Sequence, residues 1–497
     1  MRRTLALVGL LVSLAGCAGT PLTPAAPAAP TATPGEPGPS GAASAPSSKP
    51  IPALPQFEAV PPPPDTCAAW PNALPATGAT CPVPEEPALR AALASALGLA
   101  DAAARDAALA PLEPCAQFEP GLVRALRAEL VPTSCADRMV EPWLTERRKE
   151  LGLVLRGAMV GRGVAARLSR LARQVPQLPQ PYDKRTFEGF LAGELGQWIR
   201  AQAAAIGGLS SAGVQLPAYG KAQVAVEAGL ADLRFAELLR EVPLPQELAA
   251  DPELAEEYAA SLEQELEPRK ERGRVAALVG LKEFAQLGTL QDPRVQQARA
   301  LLSLLWAGRR VDALDPLKGP TFAPTAPEGT DALLAARLPT FFAAKLLSPQ
   351  LVREAAVRDA LVQRGLPPDF EDDLEALSED AAAQHALAQA RLRRAELYWT
   401  TADFAAAATA EARAAELDSK RRPDARLVEA LASAMKGAPR SAAQMMSQGP
   451  LLPASLADVR ALSELASQPG ELGALAAWDA ATLMSLVPAV EIGRAHV

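Results

Sequence analysis

Aromatic residues make up 4% of this 497-residue chain and histidine occurs twice. So few rings and so few β-branched runs leave little to build strands from. After the first seventeen residues no apolar run approaches the roughly 18 needed to span a bilayer. The chain has no glycine-rich dinucleotide fingerprint, phosphate loop, zincin motif or EF-hand loop, which removes the enzyme classes that those motifs define. Positive charge is also in short supply. The formal net charge is −8, which argues against nucleic acid as a partner and against adhesion to anionic lipid by bulk attraction.

What is present is alanine, the best helix former, within a hydrophobic fraction of 49%. The expected fold is all-α: stacked antiparallel helical hairpins forming an α-solenoid, after a disordered linker rich in Pro and Ala.

The N-terminus opens with Arg2 and Arg3, continues through an apolar segment at residues 4–14, and closes on Leu14-Ala15-Gly16-Cys17. This pattern resembles the lipobox of bacterial lipoprotein signal peptides. The resemblance implies that residues 1–16 are removed and that Cys17 carries lipid. With several acyl chains at roughly 0.8 kcal/mol per buried methylene, such an anchor is stable. It also implies a cell-envelope location, and Ala18 after the cysteine implies the outer membrane. Removing both arginines with the signal takes the charge from −8 to −8 − 2 = −10.

Four cysteines then remain, Cys67, Cys81, Cys115 and Cys135, an even number suited to disulfides in an oxidising compartment. Three pairings are possible. Closure of short loops favours Cys67–Cys81 with Cys115–Cys135. A zinc site is disfavoured by the lack of a Cys-x-x-Cys or a nearby His.

Residues 17–65, ending in four consecutive prolines, read as a lipidated disordered tether. Residues 66–140 read as a disulfide-stapled helical cap with helices at 86–97, 101–110 and 119–130. Residues 141–320 read as a helical body. Asp251-Pro252 and Asp292-Pro293 mark helix starts. The sequence from Leu287 to Leu302, echoed at 348–361, is similar to a HEAT repeat. Gly157, Gly161 and Gly163 lie in a helical pattern and are read as a close-packing face. A Pro/Gly-rich boundary at 316–330 precedes a helical region at 330–490. Residues 491–497 match the translation of a common sequencing adapter and are read as foreign to the protein, leaving His385 as its lone histidine.

Within 379–418, Ala395, Tyr398, Asp403-Phe404, Ala407, Ala414 and Leu417-Asp418 resemble a tetratricopeptide repeat. Arg391 and Arg394 depart from it, standing where Trp and Leu are usual, and Glu411 replaces an aromatic. The two arginines imply either a rotated helix or a charged groove. Arg391, Arg394 and Tyr398 are therefore the candidate partner-binding residues.

Other chemistry is thin. Ser433-x-x-Lys436 lacks the motifs that accompany Ser-x-x-Lys in serine enzymes. The acids Glu371, Asp372, Asp373, Glu375, Glu379 and Asp380 read as a solvated face at helix starts. His385 has no ligand-type neighbour at metal spacing, so neither metal nor cofactor is expected. Arg156, Arg167, Arg170 and Arg173 recur at near-helical spacing as a basic face balanced by nearby acids. The expectation is a non-catalytic envelope scaffold that binds an envelope protein partner. The alternative is a cell-wall glycan hydrolase using the acids at 367–380, or a regulator of one.

Overall fold

The computed structural model describes residues 54–76, 78–306, 309–448 and 456–486. The signal segment, Cys17, most of the tether and residues 491–497 lie outside them. Among the described residues there is no β-strand, and one isolated bridge joins Thr289 to Gly365. The fold is all-α.

The helices run α1 (Glu86–Leu97), α2 (Ala102–Leu109), α3 (Leu122–Leu130), α4 (Ala136–Glu146), α5 (Leu153–Arg170), α6 (Lys184–Phe190), α7 (Gly196–Gly213), α8 (Ala218–Arg240), α9 (Gln246–Ala249), α10 (Pro252–Gln286) and α11 (Pro293–Leu305). They continue as α12 (Thr330–Arg337), α13 (Thr340–Leu346), α14 (Ala355–Arg364), α15 (Pro368–Ala376), α16 (Ala381–Tyr398), α17 (Thr401–Leu417), α18 (Arg422–Ala434), α19 (Ala442–Gln448), α20 (Leu456–Ala466) and α21 (Glu471–Ser485). The expected N-caps are in place. The Asp251 carboxylate accepts from the amides of Glu253 and Leu254, and that of Asp292 from the amide of Arg294 at 2.8 Å.

Small residues let the helices approach. A Cβ on Gly161 of α5 would fall 2.4 Å from the Cα of Gly220 in α8, so the glycine face does bring two backbones together. One hydrophobic core reaches from Cys67 to Leu483 and includes Val311 and Leu334 on the two sides of residues 316–330 and Leu317 within them. That Pro/Gly-rich stretch is thus a crossing over a shared core. A smaller second core gathers Phe187, Phe190, Phe235 and Leu266.

The cysteine pairing differs from the expected one. Cys67 bonds Cys135 and Cys81 bonds Cys115, with Cα–Cα distances of 5.3 and 4.6 Å. Cys67 and Cys81 are held apart by a non-helical run containing Pro71 and Pro75, whose fixed φ resists closing a short loop. Cys115 and Cys135 lie beyond opposite ends of α3, a rod of about 13 Å.

The end of the expected tether also differs, because Leu54, Phe57, Ala59 and Val60 pack against the core. A Cβ on Gly208 would meet the Phe57 ring at 2.1 Å. Proline carries no N–H, so such a strap offers mainly carbonyls. Buried arginines supply the donors. Arg167 donates to the carbonyl of Pro55, Arg170 to that of Pro61, and Arg127 to that of Pro71. Arg124 donates to the carbonyls of Asn72 and Ala73. Arg167 and Arg170 also pair with Asp137. Two members of the expected basic face are therefore buried clamps.

Candidate functional site

Three places carry chemistry. The first holds the arginines singled out in the sequence. α16 and α17 form a hairpin whose turn is made by Trp399 in the left-handed region at φ 56. This costs a bulky residue roughly 1–3 kcal/mol. The buried Trp399 indole N–H donates to the carbonyl of Val311 at 2.9 Å and helps hold the turn.

Arg391 and Arg394 do not line an open groove. Arg394 pairs with Glu371 at 2.5 Å and with Asp403 at 2.8 Å, while Arg391 pairs with Glu371 at 2.8 Å and also with Glu375. Their side chains are 18% and 12% exposed, too little for a charged docking surface. Burial works to raise the Glu371 carboxyl, but hydrogen bonds and charge from Arg394 and Arg391 hold it below the usual carboxylate range. Glu371 and Glu375 of α15 and Arg391 and Arg394 of α16, read separately in the sequence, are one ion cluster. Asp380, another of those acids, caps α16 by accepting from the amides of Ala382 and Ala383. Tyr398 is buried, and its hydroxyl donates to the carbonyl of Thr289. It is a core residue and not a surface contact.

The second place is a depression of about 340 Å³ beside the Cys81–Cys115 bond. Pro71, Pro75, Pro82, Pro111 and Pro114 wall it. Arg127 and Glu113 also line it, and both are almost fully buried. Behind them Arg127 grips Asp106 through two bonds of 2.7 Å. The walls are stiff and poor in donors. The volume is at the small end of ligand pockets and suits one bulky side chain.

The third place is a buried cluster spread over three helices: His385 on α16, Glu411 on α17 and Asp424 on α18. The Nδ1 of His385 lies 2.8 Å from Oε2 and 3.0 Å from Oε1 of Glu411. His385 is 5% exposed and Glu411 is 0% exposed. One donor atom from each of the three residues lies within 4.8 Å of the others. The Phe322 ring, from the crossing segment, stands 5.8 Å from the imidazole. Burial raises the Asp424 carboxyl above its usual range, with the Glu411 charge adding and His385 and Arg421 opposing. Sequence reasoning missed this group because Glu411 and Asp424 are brought to His385 by the hairpin and not by local spacing. The available signal was Glu411 itself, an acid at a position where the repeat pattern buries an aromatic.

Farther along α16, Glu396 is half of a further carboxyl pair. Glu396 is pushed up to about 8 by burial and by the charge of Asp479. Asp479 is fully buried, with Oδ1 accepting from the amide of Lys318 at 2.8 Å.

No family model, no curated protein and no solved structure matches the chain.

Proposed function

We propose that this protein is an exported lipoprotein of the bacterial envelope, fixed by lipid on Cys17, whose helical body is a non-catalytic scaffold for a protein partner. The observation that carries the reading is the continuous core from Cys67 to Leu483, which makes the cap, body and C-terminal hairpins one stiff platform. The two disulfides support export, since such bonds persist in oxidising compartments. The arginine-clamped strap supports tethering, because a lipid at Cys17 would be connected to the platform through it. Among the described residues no helix is long and apolar enough to cross a membrane, so attachment in this account rests on the lipid. The tetratricopeptide likeness of α16 and α17 supports a binding role by analogy of fold only. The outer membrane is the proposed destination, on the strength of Ala18.

With Arg391 and Arg394 occupied by acids, the proline-walled depression is the proposed contact surface. Its stiff walls hold their shape before binding, so little ordering has to accompany association. The test is cross-linking in cells, comparing the wild type with Ala79→Trp, which fills the depression. One envelope protein should be captured by the wild type and lost in Ala79→Trp. An unchanged catch from both would refute the depression as the surface. No specific catch from the wild type would refute the scaffold.

A further inference from the structure

We propose that His385, Glu411 and Asp424 bind one divalent transition-metal ion of the zinc class, clamping α16, α17 and α18 together. The donor set is right for such an ion: one imidazole nitrogen with two carboxylates, a mixture that suits a borderline cation better than the six to eight oxygens calcium takes. The geometry is also suitable. Bonds of about 2.0–2.2 Å place tetrahedral ligand atoms about 3.3–3.6 Å apart. The three donor atoms already lie within 4.8 Å of one another, so side-chain rotation suffices to close on an ion.

Charge supplies an independent argument. Four buried carboxylates elsewhere in this protein sit against arginines: Asp106 against Arg127, Asp137 against Arg170, Asp232 against Arg272 and Asp292 against Arg294, while the fully buried Asp479 is met by the backbone amides of Lys318 and Gly319. Glu411 is as deeply buried as any of these, yet the side chain it meets at ion-pair distance is His385. Asp424 and, beyond it, Glu471 add negative charge to the same place, while Arg421 is the basic group that acts on Asp424. Arg421 itself lies 4.0 Å from Asp418. A divalent cation among these acids would supply the compensation that arginine supplies elsewhere. Phe322 covers one side of the imidazole. Asp424 is only half-buried, which leaves a route in for the ion and a position for a water ligand.

The experiment uses the full chain, extracted in detergent without a histidine tag and stripped of metal by a chelator. Zn²⁺ is added in competition with a chromophoric chelator, and thermal unfolding is followed with and without Zn²⁺. The wild type is expected to take up one equivalent and to melt at a higher temperature, as mass action requires. Asp424→Asn, at the partly exposed end of the site, is expected to stay folded by circular dichroism. Its affinity should fall by more than the roughly 10–100-fold that loss of an outer-shell partner costs. Glu411→Gln should do the same, and His496→Ala should bind as the wild type does. No uptake by the folded wild type would overturn the site. So would uptake that survives in both Asp424→Asn and Glu411→Gln.

Discussion

The hydroxyl of Tyr398 donates to the backbone carbonyl of Thr289, joining the end of α16 to the turn that follows α10. At that turn Gly288 adopts φ 68, and a Cβ there would stand 1.8 Å from the carbonyl oxygen of Leu366, so any other residue would force the two segments apart. Tyr398 thus fastens two sequence-distant regions to each other. Tyr398→Phe should cost about 1–3 kcal/mol through the carbonyl left unpaired. Tyr398→Ala should cost about 3–5 kcal/mol through the lost ring. Urea unfolding checks both; an unchanged midpoint for the alanine variant would contradict a core role.

The ion cluster of Glu371, Arg391, Arg394 and Asp403 makes a different prediction from that of a binding groove. Arg394→Glu places a third acid against Glu371 and Asp403, so stability should fall by about 2–4 kcal/mol. Adding Glu371→Arg should restore part of that loss. Because the Glu371 carboxyl is held low, its stabilising contribution is fully present above the unfolded carboxylate range. It is lost as pH falls through the folded value. Loss of partner binding by Arg394→Glu with no change in melting would restore the groove.

Glu396 titrates in the opposite sense. Its carboxyl is raised to about 8, so between the ordinary carboxylate range and that value the folded chain holds a proton that the unfolded chain has released. Stability contributed at this position therefore declines as pH rises across that window. Glu396→Gln should flatten the decline, read as the melting temperature from pH 5 to 9. An identical pH profile for the variant would show that the carboxyl is not held protonated.

Peptide mapping without reduction should recover Cys67 linked to Cys135 and Cys81 linked to Cys115. The loops they close span 68 and 34 residues. By loop-closure entropy each bond contributes about 4 kcal/mol, the longer loop about 0.6 kcal/mol more. Serine at both Cys67 and Cys135 should therefore destabilise slightly more than serine at both Cys81 and Cys115. Recovery of Cys67 with Cys81 would contradict the nested arrangement.

Local signals were legible. The helix at Glu86–Leu97 has the expected ends, Asp251 and Asp292 cap the helices they precede, and Gly157 and Gly161 of α5 meet Gly220 of α8. These depend on residues a few positions apart, where propensity, capping and size act directly. What was not legible depends on chain crossings. The cysteine pairing follows from where α3 and the extended proline run place their ends. Arg167 and Arg170 read as a surface stripe because their spacing is helical, yet the strap and Asp137 turn that face inward. His385 read as solitary because Glu411 stands 26 residues away and reaches it only through the α16–α17 turn.

Attachment through Cys17 is tested most directly by fractionation of cells. Wild type and Cys17→Ala would be expressed side by side and their membranes washed in high salt, which strips proteins held by charge. The wild type should stay with the membrane fraction while Cys17→Ala appears in the soluble fraction or remains unprocessed. A Cys17→Ala protein that is processed and still bound to washed membranes would contradict the lipid anchor and the scaffold built on it.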